Sequence, residues 1–309
     1  MGQDIVVIGD CMLDKTWYCD CKRLSPEAPV PVAELSFKVS VPGGAGNVVR
    51  NIKKIGAQET TVWLCSALSS ATEDQLTDEY QVCVWEGSKA LSPDQENIKF
   101  RIVDYQTGYH LVRVDNERFI QIDKAQLNIA SLLYFLKSVK PSVIILSDYL
   151  KGIVSPELSQ AVIHYARTRD SIVLVDSRSK DPISFMNADL ITPNNSEYQN
   201  ILATFNIQTP QEVIEKLQLR LGLLLTKSKD GLVLYTTDGQ CISSPAVGKH
   251  VVDVTGAGDT VLATIATALS AGYKDWHKIL TVANELAYDV CMQRGTAVPK
   301  RKITEFQWE

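Results

Sequence analysis

Short apolar runs that do not alternate with polar residues recur along the chain, at 5–8, 143–146, 172–175, 190–191, 223–225 and 232–235. A strand that is apolar at every position has to be covered on both faces, the situation of a parallel sheet between two helical layers. Between the runs lie stripes at helical spacing: Ala45, Val48, Val49, Ile52 and Ile55, then Ile129, Leu132, Leu133 and Leu136, then Leu158, Ala161, Val162 and Tyr165. This order predicts an α/β fold, a mostly parallel sheet with helices on both sides. Residues 30–39 and parts of 98–114 alternate instead, and are expected outside the main sheet as a small β layer exposed on one face. Residues 64–97, dominated by Ser, Thr, Glu, Asp and Gln, yield no element.

A length of 309 residues fits two domains or one large α/β domain with an appendage. The net charge of −5 argues against a broad nucleic-acid binder, while leaving room for a small anion in a local basic pocket. No apolar run approaches the ~20 residues of a membrane span. The N-terminus has neither a basic segment nor a long apolar one, and Val6 stands where a myristoylation signal would need Ser or Thr. The seven cysteines are scattered, Cys19 and Cys21 being the only close pair, and the four histidines are isolated. Reduced thiols in a cytoplasmic protein are expected, without a cage of soft metal ligands.

Chemistry concentrates in Asp253-Val254-Thr255-Gly256-Ala257-Gly258-Asp259-Thr260, followed by Val261, Ile265 and Leu269 at helical spacing. Gly256, Ala257 and Gly258 therefore stand at a helix start, where unpaired N–H groups and the positive dipole end favour an anion. Glycine lets the backbone approach phosphate oxygens closely. Asp259 beside that anion site can take a proton from a hydroxyl, and the combination suits phosphoryl transfer. Taken alone, the same residues also read as a core helix capped by Thr255 or Asp253, with Asp259 as a first-turn acid.

The segment does not stand alone. Pro42-Gly43-Gly44-Ala45-Gly46-Asn47, Thr192-Pro193-Asn194-Asn195-Ser196-Glu197 and Leu225-Thr226-Lys227-Ser228-Lys229-Asp230-Gly231 precede it. In order and spacing these resemble the signatures of the ribokinase-like (PfkB) carbohydrate kinases along nearly the whole chain. Segments 9–14, 25–32, 111–115 and 146–152 further resemble the family's D-glycero-D-manno-heptose 7-phosphate kinases, which often form one half of a protein fused to an adenylyltransferase. Only the kinase step is expected of this chain.

The resemblance implies one ribokinase-like domain over 1–309: a three-layer αβα sandwich with a mostly parallel central sheet, and a β lid from about 15–39 and 97–115. It implies ATP-dependent phosphorylation of the anomeric O1 of the heptose 7-phosphate, giving the 1,7-bisphosphate. Asp259 would be the base, and the amides of Gly256, Ala257 and Gly258 the anion hole. Asn194 and Glu197 would organise Mg²⁺; their spacing equally fits a strand-to-helix junction with Glu197 in the first turn. Lys227, Ser228, Gly231 and Asn284 would lie along ATP. Asp14, Gly43, Gly44 and Asn47 would meet the sugar, though Asp14 also reads as a loop acid and Gly43-Gly44 as a plain turn. Arg113 and Lys151 are candidates for the sugar's phosphate, and Asp148 stands where α/β proteins bind ligands or cap the next turn. A monovalent cation such as K⁺ near Asp253–Thr255 and a homodimer through the lid are implied by similarity alone.

Three departures bear on the substrate. Asp176-Ser177-Arg178-Ser179-Lys180 replaces an Asp-Pro-Lys-Gly segment, so a basic group reaches a phosphate from a shifted position. Residues 64–71 replace a Gly-rich segment containing an acid, and Glu285 and Tyr288 stand where small residues are usual near the adenine. A kinase for another phosphorylated or acidic sugar, and a sugar- or nucleotide-binding relative without turnover, are the competing readings.

Overall fold

In the computed structural model, residues 4–56, 60–117, 128–248 and 250–308 are described. Met1 and Gly2, which bear on the myristoylation reading, lie outside them. The chain runs β1 (Ile5–Gly9), β2 (Cys11–Leu24), β3 (Pro31–Gly44), α1 (Ala45–Ile55), β4 (Val62–Cys65), β5 (Ala67–Ser69) and α2 (Ser70–Asp74). It continues through β6 (Cys83–Val84), β7 (Lys89–Leu91), β8 (Ile98–Asp104), β9 (His110–Asn116), α3 (Ile129–Val139), β10 (Val143–Asp148) and α4 (Pro156–Arg167). Next come β11 (Ile172–Ser177), β12 (Leu190–Ile191), α5 (Asn195–Phe205), α6 (Pro210–Leu217), β13 (Gly222–Thr226), β14 (Leu232–Thr236), β15 (Cys241–Ser244), α7 (Ala257–Ser270) and α8 (Trp276–Cys291).

The main sheet has the order β15-β14-β13-β12-β11-β10-β1-β4-β6 and is parallel except where β14 pairs with β13 and β15. Its unalternating strands have a simple cause. In β1, Ile5 and Val7 pack with α1, α7 and α8, while Val6 and Ile8 face the layer of α3, α4, α5 and α6. Successive side chains enter opposite cores, so neither face can be polar. The helices start where the sequence offers caps: Asn128 for α3, Ser155 with Pro156 for α4, and Thr209 with Glu212 for α6.

The alternating segments form the separate four-stranded sheet β3-β2-β8-β9. Its β2–β3 pair is longer than the sequence pattern indicates, starting at Cys11 and ending at Gly44, because residues 11–14 at its root are buried and carry no alternation. Register pairs Thr16 with Arg101 and Arg101 with Arg113, so these share the face turned to the main domain. Trp17, Ile102 and Val112 share the opposite face. Residues 64–97, blank in the sequence reading, hold the end of β4 and then β5, α2, β6 and β7. All seven cysteines are free, and no helix among the described residues is long and apolar enough to cross a membrane.

Candidate active site

The carboxyl ends of β10, β11 and β13, the amino end of α7 and the inner face of the lid enclose a cleft of about 1260 Å³. Ligands bind at this edge of an α/β sheet because the loops there are free of the ladder.

Asp259 lies in the first turn of α7 and is buried. Its Oδ2 accepts from Asn47 Nδ2 and its Oδ1 from the Tyr149 hydroxyl, both at 2.7 Å. Burial pushes the carboxyl above its ordinary range, against the pull of these two donors. Gly256 precedes the helix at φ +84°, and a methyl group there would stand 2.8 Å from Asn47 Nδ2. A methyl at Gly258 would meet nothing within 4 Å, although Gly258 lines the cleft. Of the three expected hole amides, that of Ala257 already donates to the Val254 carbonyl at 3.2 Å.

The lid supplies Asp14, whose Oδ1 accepts from Arg101 at 2.9 Å and Oδ2 from the Thr296 hydroxyl at 2.8 Å. Lys99, Arg101 and Arg113 line the cleft from β8 and β9, and Arg178 lines it from beyond β11. Arg113 holds Asp115 through Nε at 2.9 Å. The Arg178 guanidinium lies 4.2 Å from the centre of the Tyr149 ring, and Lys99 Nζ 5.6 Å from it.

Opposite the lid, Asn194 and Glu197 form a capping box. Glu197 N–H donates to Asn194 Oδ1 at 3.0 Å, and Asn194 N–H to Glu197 Oε2 at 2.9 Å. Asp176 shares this wall; burial, Asp259 and Glu197 push its carboxyl up to about 7. Among the described residues no three His, Cys, Asp or Glu side chains gather to hold a metal by themselves.

The cleft thus joins Asp14, Gly44, Arg113, Asn194, Glu197, Ser228, Gly231 and Asn284 with Gly256, Ala257, Gly258 and Asp259. Other expected residues stand behind it. Asn47 is fully buried, its amide donating to Asp259 and its Oδ1 accepting from Arg50 and Asn51. A side chain on Gly43 would overlap Asp14, which is why glycine is needed there. Asp148 accepts from the Leu150 N–H and the Ser177 hydroxyl, capping the turn after β10. Lys151 is bound to Glu117 at 2.8 Å and does not reach the cleft wall. The Lys227 N–H closes a turn onto the Gly231 carbonyl. Asn284 reaches the wall with its amide engaged by Ser244 and Pro245. Of the two unusual residues near it, Tyr288 lines the cleft and Glu285 is paired to Arg301.

Lys99, Arg101, Tyr149 and Thr296 were missed. For Lys99 and Arg101 a signal existed: Ile98, Phe100 and Ile102 alternate with them, placing both cations on one face. Tyr149 lies within the 146–152 segment that carries the resemblance, though nothing there assigns it a role, and nothing local marks Thr296.

Residues 2–303 match the pfkB family carbohydrate kinases. The chain belongs to this family. As a PfkB carbohydrate kinase it is a phosphotransferase. It is 36% identical over 304 residues to the bifunctional protein HldE of Pseudomonas syringae pv. syringae, covering 95% of this chain and 61% of that protein. With the HldE of Shewanella sediminis it shares 33% over 311 residues, covering 96% and 62%. This PfkB kinase therefore spans about three-fifths of the length of these curated relatives. Its ribokinase-like fold is shared with Escherichia coli phosphofructokinase-2 in complex with potassium, at a TM-score of 0.74, 16% identity and coverage of 99% and 97%. Ribokinase of Thermotoga maritima superimposes with a TM-score of 0.66 at 20% identity, covering 94% of each chain.

Proposed function

We propose that this PfkB kinase transfers the terminal phosphoryl group of ATP to the anomeric O1 of D-glycero-D-manno-heptose 7-phosphate. The observation that carries the reading is the set of cations, Lys99, Arg101, Arg113 and Arg178, facing the cleft that also holds Asp259. A sugar already bearing phosphate needs cationic contacts of this kind. The HldE relatives, about 35% identical over 95% of the chain, support the choice of a heptose phosphate.

In this mechanism Asp14 and Arg101 orient the sugar, and Asp259 takes the proton of O1 as that oxygen attacks the γ-phosphorus. The bond to the β-phosphate oxygen breaks and ADP leaves. First-turn amides of α7 hold the transferring group's oxygens in place. The Glu197 side chain keeps Oε1 outside its capping bond, and with Asp176 and the Asn194 carbonyl offers hard oxygen donors, a set suited to Mg²⁺ that retains waters. When bound, Mg²⁺ would neutralise charge on the ATP phosphates. A K⁺ ion belongs to the same reading. Asp253 ties Thr255 to Gly295 at 2.9 Å each, ordering a loop whose carbonyls suit a hard monovalent ion.

The enzyme is read as cytoplasmic and as a homodimer through the lid, whose outer face leaves Trp17, Val112 and Val114 at 40%, 49% and 53% exposure. Light scattering at micromolar concentration checks the dimer; a monomer there removes it.

The deciding experiment is ADP release with Mg²⁺ across a panel of sugars ranked by kcat/KM. Heptose 7-phosphate is expected to rank first. If another phosphorylated or acidic sugar leads, the change at 176–180 and Tyr288 in the cleft wall carry that second reading. Calorimetric binding without turnover across the whole panel would instead indicate a non-catalytic relative.

A further inference from the structure

The Tyr149 hydroxyl is 2.7 Å from Asp259 Oδ1, and its place is built by another buried acid. Asp10 Oδ2 accepts from the N–H of Tyr149 and of Lys151, both at 2.9 Å, and Oδ1 from that of Ile153 at 3.0 Å. The loop after β10 is therefore wound around one carboxylate, and the phenol leaves it in a single direction, toward the base. Arg178 covers its ring.

We propose that Tyr149 is a positioning residue for the phosphoryl-transfer base, its phenol fixing the rotation of the Asp259 carboxylate and keeping it ionised, with Asp10 acting through it. A carboxylate held by Asn47 alone could turn about its Cβ–Cγ bond; two donors on different oxygens fix that torsion and aim the remaining lone pairs. The hydroxyl can only donate here, because burial and Asp259 hold its proton on. Removing it would raise the proton affinity of Asp259, which burial and then Asp14 already raise and Arg178 lowers, while Asp259 in turn raises that of Asp176. The proposal rests on Asp259 being the base of a kinase, not on which sugar is the acceptor.

The test is Tyr149→Phe, which deletes one oxygen, compared with wild type in two measurements. In kinetics with the best sugar of the panel, kcat is expected to fall about tenfold with KM for ATP unchanged, and the acid limb of kcat/KM to move to higher pH. In ¹³C NMR of labelled aspartate, with Asp259 assigned through Asp259→Asn, its titration is expected to move upward. Asp10→Asn is expected to lower kcat in wild type and to add little in the Tyr149→Phe background. An unchanged kcat and acid limb, or an unmoved Asp259 titration, overturns the proposal. If wild type turns over no sugar, the kinase reading fails by itself, and the titration still decides whether Tyr149 governs Asp259.

Discussion

Gly256 and Gly258 are two residues apart in one motif, and the same substitution in each should separate folding from catalysis. At Gly256 an alanine would adopt φ +84°, a left-handed conformation costing roughly 1–2 kcal/mol for a residue with a Cβ. Its methyl would also press on Asn47 Nδ2 from 2.8 Å, adding about 1–2 kcal/mol of overpacking. Gly256→Ala should therefore lose about 2–4 kcal/mol, read as a lower midpoint in urea at unchanged slope. Gly258 lies inside the first turn of α7 without a left-handed φ, and nothing stands within 4 Å of its added methyl. There alanine should leave stability unchanged or raise it by about 0.4–1 kcal/mol, by restricting the unfolded chain. That methyl would project into the cleft at the proposed anion hole, so kcat should drop by about a hundredfold or more. A Gly258→Ala enzyme of normal stability and normal kcat would refute the placement of the anion hole. A Gly256→Ala enzyme as stable as wild type would refute the strain account.

Replacing Asp14 with Asn leaves Arg101 in a nearly closed site, their side chains being 8% and 10% exposed. An uncompensated buried charge should cost about 3 kcal/mol in urea unfolding, with partial recovery when Arg101→Met is added; no loss would contradict this. Asp259→Asn should cut kcat by about 10²–10⁴. Because burial raises the Asp259 carboxyl, wild-type turnover should decline on acidification before an ordinary carboxylate protonates, and rate profiles check that order. Lys99→Ala should raise KM for a phosphorylated sugar and not for ATP. Since burial and then Arg178 lower the Lys99 ammonium, KM in wild type should rise on the alkaline side earlier than for an exposed lysine, a limb that Lys99→Arg should remove.

The layered fold was legible because its pattern is imposed by burial: Ile5 to Ile8 have to be apolar throughout when odd and even residues enter different cores. The lid was legible for the opposite reason, one face being open to water. Its root was not, since Cys11 to Asp14 are buried like the main sheet although they belong to the lid. Within the site, residues tied to backbone geometry were the readable ones, as at Gly256 and at the capping box of Asn194 and Glu197. Residues defined by long-range encounters were not. Asn47 meets Asp259 across 212 positions and Tyr149 meets it across 110, separations that no periodicity records. Lys151 carries its charge just after a strand, yet in the fold its amide serves Asp10 and its ammonium serves Glu117.

Charge in the cleft shows how a protein of net charge −5 could hold the two polyanionic substrates proposed for it. Three of its cations are already met by acids: Arg101 by Asp14, Arg113 by Asp115, and Lys99, more distantly at 3.5 Å, by Glu117. These pairs lessen mutual repulsion among the cations while the fold forms, and Asp14 also lines the cleft. Arg178 differs, its guanidinium resting on the Tyr149 ring, and it has no ion pair among the described residues. After burial, it is the main cause that lowers the Lys99 ammonium. An anion touching both Arg178 and Lys99 would offset that repulsion with only the 3.5 Å Lys99–Glu117 pair to loosen, which is why Lys99→Ala is expected to weaken binding of a phosphorylated sugar. The ring they share belongs to the residue whose hydroxyl holds the base, so cation placement and base placement converge on Tyr149.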